Sequence, residues 1–148
     1  MYSLIIHDDA SGDLRQIIAT NRSAGLKLVQ VLGQLRVDQD ALDRLSQVDW
    51  GGSPAWPKPR TAKFNTGPWG AAQKANMNLW RLRFFDDEIL GYRIISAFFP
   101  RENQYQILAI VEKADFGAIH DERFNYELSH PISIRIASSY RELVNNFW

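Results

Sequence analysis

The chain has 148 residues, 45% of them hydrophobic and 23% charged, and its 17 acidic and 17 basic side chains leave no formal net charge. That length predicts a single domain over residues 1–148 with its own core, and the charge balance excludes a globally basic nucleic-acid binder. The absence of cysteine excludes disulfides, thiol nucleophiles and cysteine-bound metals. No apolar run approaches the roughly 20 residues that span a bilayer, and the N-terminus lacks a signal-peptide pattern, so a cytoplasmic protein without a membrane partner is expected.

Residues 2–7 are a short apolar run, expected as a first strand. Asp8-Asp9-Ala10-Ser11-Gly12-Asp13 follows, rich in turn and cap residues. Beyond it Leu14, Ile17, Ile18, Gly25, Leu28, Val29, Leu32 and Leu35 recur at helical spacing. A break in that helix is expected between Asn21 and Gly25. A second short helix is predicted over about 38–47, with Ala41, Leu42 and Leu45 inward and Asp38 as its cap.

Residues 51–70 contain Gly51-Gly52, Pro54, Pro57, Pro59 and Gly67-Pro68, punctuation that predicts no regular element. The same region carries Trp50, Trp56, Phe64 and Trp69, whereas a free linker would be poor in aromatics. It is expected either to be anchored by those rings or to offer them for base stacking. Residues 54–85 hold six bases (Lys58, Arg60, Lys63, Lys74, Arg81, Arg83) and no acid. A cationic stretch attracts a polyanion even on a neutral protein. Lys58, Arg60, Lys63, Trp69 and Lys74 are therefore candidate RNA-binding residues, against the alternative of a solvated loop that lacks acids.

Three consecutive strands are predicted at residues 79–85, 91–99 and 104–113. Period-two alternation on the first puts Arg81 and Arg83 on one face and Trp80, Leu82 and Phe84 on the other, core-facing side. Arg93 stands on the next strand, and a hairpin through residues 86–90 would bring the three guanidinium groups together. Convergent arginines suit a phosphoryl group because each offers a planar fork of donors and stays charged. The alternative is that Asp86, Asp87 and Glu88 pair with them across the hairpin mouth.

Residues 114–123 are polar and irregular, and a final helix is predicted from near Pro131, with Ile132, Ile136, Tyr140, Leu143 and Val144 along one side. There is no phosphate-cradling loop, GxSxG or HExxH motif. His7, His120 and His130 are scattered. A metal site from His120, Asp121 and His130 lacks regular ligand spacing, so no metal is expected, and His130 before Pro131 suits a helix entry.

Strand-Arg-x-Arg, a short turn, Gly-Tyr-Arg-Ile-Ile and a third apolar strand ending in Glu-Lys resemble the toxins of the RelE/ParE superfamily of type II toxin–antitoxin systems. The order of elements is similar as well. The resemblance implies an α+β, RelE-like fold, in which an N-terminal strand and a helical hairpin pack on a four-stranded, mainly antiparallel sheet with a C-terminal helix. It also implies a ribosome-dependent mRNA endoribonuclease (an mRNA interferase) that inhibits translation. Such a toxin uses no cofactor: the ribose 2′-hydroxyl attacks the phosphodiester. Arg81 and Arg83 then match the paired basic residues, Arg93 the arginine that clamps the transition state, and Lys113 a further positive charge. Tyr126 matches the C-terminal tyrosine, with Tyr140, His120 and His130 as other acid–base candidates. The implied partners are a cognate antitoxin, the ribosome and mRNA. A Trp/Pro-rich insertion at about 51–77 has no counterpart in the minimal toxin. Other functions open to this fold are a ParE-like DNA gyrase inhibitor and a non-enzymatic RNA- or protein-binding module.

Overall fold

The computed structural model describes residues 1–46, 64–114 and 122–147. The strands are β1 (Ser3–Ile6), β2 (Phe64–Pro68), β3 (Leu79–Phe84), β4 (Tyr92–Phe99) and β5 (Gln104–Glu112). They form one sheet in the order β1-β5-β4-β3-β2, with β1 parallel to β5 and every other pair antiparallel. Helices α1 (Asp8–Thr20), α2 (Arg22–Val37) and α3 (Gln39–Arg44) pack on one face. Helices α4 (Gly70–Lys74) and α5 (Pro131–Phe147) pack on the other. None of the described helices is long and apolar enough to cross a membrane.

The class is α+β and the C-terminal helix is present, but the sheet is mixed and has five strands where four were expected. The additional strand, β2, lies in the region whose glycines and prolines predicted no regular element. It forms because it is an edge strand: Pro68, at its end, has no N–H to give, and only β3 pairs with it. The three later strands fall within a residue of their predicted bounds.

The helical break falls at Asn21. Its N–H donates to Ile17 O at 2.7 Å, ending α1, while its side-chain Oδ1 accepts from Ala24 N–H at 3.3 Å, starting α2. Gly25 lets the two helices touch, since a Cβ there would stand 2.5 Å from Ile18 Cγ1 and 2.8 Å from its Cα. The first helix begins at Asp8 rather than at Leu14. The His7 Nδ1 accepts from Asp9 N–H at 3.1 Å, and two aspartates in the first turn complement the helix dipole. Asp38 caps α3 through Ala41 N–H at 3.0 Å, and Ala41, Leu42 and Leu45 are buried, as their pattern predicts.

Two cores result, one on each face of the sheet. Leu28, Leu32, Leu42, Leu82, Phe84, Ile94 and Ile107 belong to the core under α1–α3. Leu79, Ile95, Ala97, Phe124, Ile136 and Tyr140 belong to the core under α5. The alternation along β3 is thus as predicted, yet the face that carries the arginines is roofed by α5 rather than bare.

Tyr105 is fully buried, stacked on Phe98 at 4.5 Å, with its hydroxyl 3.2 Å from Ser46 Oγ. Burial pushes its pKa up to about 12, partly opposed by the Ser46 hydrogen bond. An unfolded tyrosine ionises near 10. The stability held by the neutral phenol is therefore complete below about pH 10 and lost as pH rises from 10 to about 12. Tyr105→Phe is expected to flatten that alkaline limb by on the order of 2 kcal/mol in urea titrations between pH 9 and 12.

Candidate functional site

At one end of the α5-covered face, four basic side chains stand within two neighbouring ladder positions of one another. Arg83 lies directly opposite Arg93 across the β3–β4 pairing, and Arg81 is opposite Ile95 one alternation away. Side chains two residues apart on a strand are about 7 Å apart, and cross-strand partners about 5 Å. Arg93 also pairs with Val111 of β5, so Lys113, two residues further on, shares the face. Like charges directly opposite each other on a sheet destabilise it. The cost of the Arg83–Arg93 pair falls away when an anion sits between them.

Tyr126 completes the cluster. After β5 the chain returns alongside the strand end: Phe124 N–H donates to Glu112 O at 2.9 Å, and Ala114 N–H to Phe124 O at 2.7 Å. The return brings the Tyr126 ring over the sheet, 4.6 Å from Phe124 and 6.1 Å from Trp69. The Trp69 indole N–H donates to Tyr126 O at 3.0 Å. This fixes a backbone at φ 65°, a left-handed conformation that is uncommon and costly for a bulky residue.

Burial raises the Tyr126 phenol pKa, opposed by Arg93, then Arg81 and Arg83. All three arginines therefore act electrostatically on one hydroxyl. That hydroxyl is buried and, for all its closeness to Arg93, makes no aligned hydrogen bond. A buried polar atom without a partner is destabilising. Tyr126→Phe is accordingly expected to leave stability unchanged or raise it by up to about 1 kcal/mol in urea unfolding, while weakening the binding of an anion at the arginines.

Arg93 is half-buried, and desolvation lowers its pKa, with Arg83 adding to that effect and Tyr126 opposing it. It donates to backbone carbonyls: Nη1 reaches Leu90 O at 3.0 Å and Tyr92 O at 2.9 Å. Among the described residues it forms no ion pair. In the turn beside it, the Asp86 carboxylate reaches Lys27 Nζ at 3.1 Å and Glu88 accepts from Ser23 Oγ at 2.7 Å, so both reach toward α2. Arg81 donates through Nη1 to Asn65 Oδ1 at 2.6 Å and Asn65 O at 3.3 Å. Lys113 Nζ donates to Ala114 O at 3.2 Å.

The structure brings together Arg81, Arg83, Arg93, Lys113 and Tyr126, residues scattered over a third of the sequence. The candidate RNA-binding residues are not gathered in the same way. Trp69 is 3% exposed and packed edge-on against Phe124 between β2 and α4, so it belongs to the core and offers no free face to a base. Lys74 is exposed in the last turn of α4, at the end of the sheet where β3 begins, opposite the Arg83 end. Lys58, Arg60 and Lys63 lie outside the described residues, as do His120 and Asp121. His130 is buried and receives Ile132 N–H on Nδ1 at 3.1 Å, at the entry to α5. Tyr140 is away from the arginines, accepting Asn78 N–H at 3.1 Å and stacking on Phe99. The residues that sequence reasoning missed are Asn65 and Gly67, whose strand was hidden by the Gly-Pro pair that ends it.

Comparison with protein-family models, with curated proteins and with solved structures finds no match to this chain.

Proposed function

We propose that this chain is a RelE-like toxin of a toxin–antitoxin system, a cytoplasmic, ribosome-dependent mRNA endoribonuclease that needs no metal. The observation that supports it most is the gathering of Arg81, Arg83 and Arg93 on one face of β3 and β4, with the Tyr126 phenol under the influence of their charge. Cleavage by this route has the 2′-hydroxyl oxygen bond to phosphorus while the bond to the 5′ oxygen breaks. It leaves a 2′,3′-cyclic phosphate and a 5′-hydroxyl end. Negative charge builds on the non-bridging oxygens at the transition state, where preorganised guanidinium groups lower the barrier most. Arg83 and Arg93 face that position, Arg81 and Lys113 hold the flanking phosphates, and Tyr126 keeps its proton at neutral pH and donates a hydrogen bond. The 2′-hydroxyl proton passes to water, since neither an arginine nor a protonated phenol accepts one, and water returns a proton to the departing 5′ oxygen. The cognate antitoxin presents acidic side chains to the same face.

A second reading, an RNA-binding module without cleavage, is favoured by those same protonation states, which suit binding better than proton abstraction. Mapping of new RNA 5′ ends after brief induction in a bacterial host separates the two. New 5′-hydroxyl ends inside translated codons are the expected result. Their absence, with salt-sensitive RNA binding retained, would establish the module. Growth arrest without cuts would point to the gyrase-directed class.

A further inference from the structure

Tyr126 stands in a conformation that its residue type does not favour, and a side chain from far along the sequence holds it there. Its φ of 65° is left-handed and costly for a bulky residue. Two side chains grip the peptide that follows it. Glu127 N–H donates to Asn125 Oδ1 at 2.9 Å, a local turn that moves with the loop. The Trp69 indole N–H donates to Tyr126 O at 3.0 Å, across 57 residues of sequence. Among the described residues no backbone N–H reaches that carbonyl.

Trp69 is itself fixed. Its backbone N–H donates to Leu79 O at 3.0 Å, at the start of β3, and its own carbonyl accepts from Gln73 N–H at 3.0 Å in α4. The residue is buried, and its ring meets Phe124 edge-on at 5.2 Å. The indole therefore ties the Tyr126 peptide to β3, whose partner strand β4 carries Arg93. A left-handed peptide freed from such an anchor relaxes to negative φ, and that rotation swings the side chain off the sheet.

We infer that Trp69 is a positioning residue for Tyr126, its indole N–H holding the left-handed peptide that keeps the phenol beside Arg93. The use of that phenol on RNA rests on the phosphodiester reading, whereas its placement does not. Trp69 lies in the Trp/Pro-rich stretch, which thereby contributes to the site without itself touching RNA.

The test follows the tyrosines of the full chain, isotope-labelled at Cζ, by NMR through an alkaline titration, with Tyr126 assigned from Tyr126→Phe. In the parent chain burial holds the Tyr126 phenol above the ordinary tyrosine value of about 10. Trp69→Phe keeps an aromatic ring and deletes the N–H. It is expected to bring the Tyr126 midpoint down toward about 10 while the Tyr105 midpoint stays at about 12. Trp69→Phe and Tyr126→Phe are each expected to weaken binding of a short single-stranded RNA about tenfold. The pair should cost little more than Tyr126→Phe alone, because residues that act through one another do not add. A Tyr126 midpoint unmoved by Trp69→Phe would overturn the positioning role whatever the RNA affinity. A midpoint that falls, with RNA affinity unchanged in both single variants, would uphold the placement and sink the phosphodiester reading of Tyr126. Should Trp69→Phe unfold the chain, seen as a fall of the Tyr105 midpoint as well, a tryptophan analogue at residue 69 with sulfur in place of the indole N–H carries the decision. It keeps the shape of the ring and deletes only the donor.

Discussion

Arg93→Ala is expected to lower the rate of ribosome-dependent RNA cleavage by about a hundredfold to a thousandfold, the usual cost of deleting one preorganised donor to a developing oxyanion. Three features of its position set that size. Arg93 is half-buried, so its charge is less screened than one in bulk water. Its Nη1 bonds end on carbonyls, and no carboxylate among the described residues neutralises it. It stands opposite Arg83, which doubles the positive charge at one point of the sheet. Arg93→Lys is expected to recover only part of the rate, since an ammonium supplies the charge without the planar fork.

Stability should move the other way. Removing one of two like charges directly opposed on neighbouring strands relieves repulsion, so Arg93→Ala is expected to unfold no earlier than the parent chain. Single-turnover cleavage on programmed ribosomes and a urea titration, run on the same preparations, measure both. A variant that cleaves normally would remove Arg93 from the reaction. A variant that loses cleavage and also unfolds early would assign its role to folding instead.

How far these features can be read from the sequence differs from element to element. Strands β3 to β5 were legible because Trp80, Leu82 and Phe84 alternate with the arginines on the first, the other two are short, largely apolar runs, and a single turn separates each pair. The α1–α2 break was legible because Asn21 and Gly25 interrupt an otherwise regular spacing. The start of α1 was not, because Asp8 and Asp9 signal a turn as readily as a first helical turn, and only the His7 cap decides between them. β2 was illegible because its Gly-Pro pair argues against a strand in isolation, and only the partner β3 overrides that local preference. The arginine face was legible as a face but not as a site. Period two places Arg81 and Arg83 together, whereas the second core on the same side depends on α5 folding back, which no local pattern encodes. Tyr126 could be named only by resemblance, and its left-handed backbone leaves no trace in residue type.

The largest effect on folding is expected at Asp13, which had no sign of importance in the sequence beyond a turn-rich neighbourhood. β1 ends at Ile6 and pairs with β5 only as far as Ile107, so the rest of that β5 edge has no strand partner among the described residues. α1 lies along this edge, and Asp13 Oδ2 accepts the Ile110 N–H at 3.0 Å. The same carboxylate takes a two-pronged bond from Arg135 of α5, at 2.8 and 2.7 Å. One turn away on each helix, Ser139 Oγ donates to Asp9 at 2.8 Å. Asp13 therefore closes a sheet edge and ties the helical layer on one face to the helix on the other. Its side chain is 15% exposed and that of Arg135 is 35% exposed, so the pair lies between a surface bridge and a buried one. Asp13→Ala leaves a ladder N–H without its acceptor and a half-buried guanidinium without its counter-charge. It is expected to cost about 2–4 kcal/mol, roughly 5–10 °C in melting temperature. Asp13→Asn keeps an acceptor for Ile110 and should recover about half of the loss. Because α5 roofs the arginine face, Asp13→Ala should also loosen Tyr126 against Arg93, so that RNA affinity falls before the chain unfolds. Urea titrations read beside RNA binding at the same denaturant concentrations test that order. Coincident transitions would mean that α5 and the sheet unfold as one unit, and that Asp13 serves the fold alone.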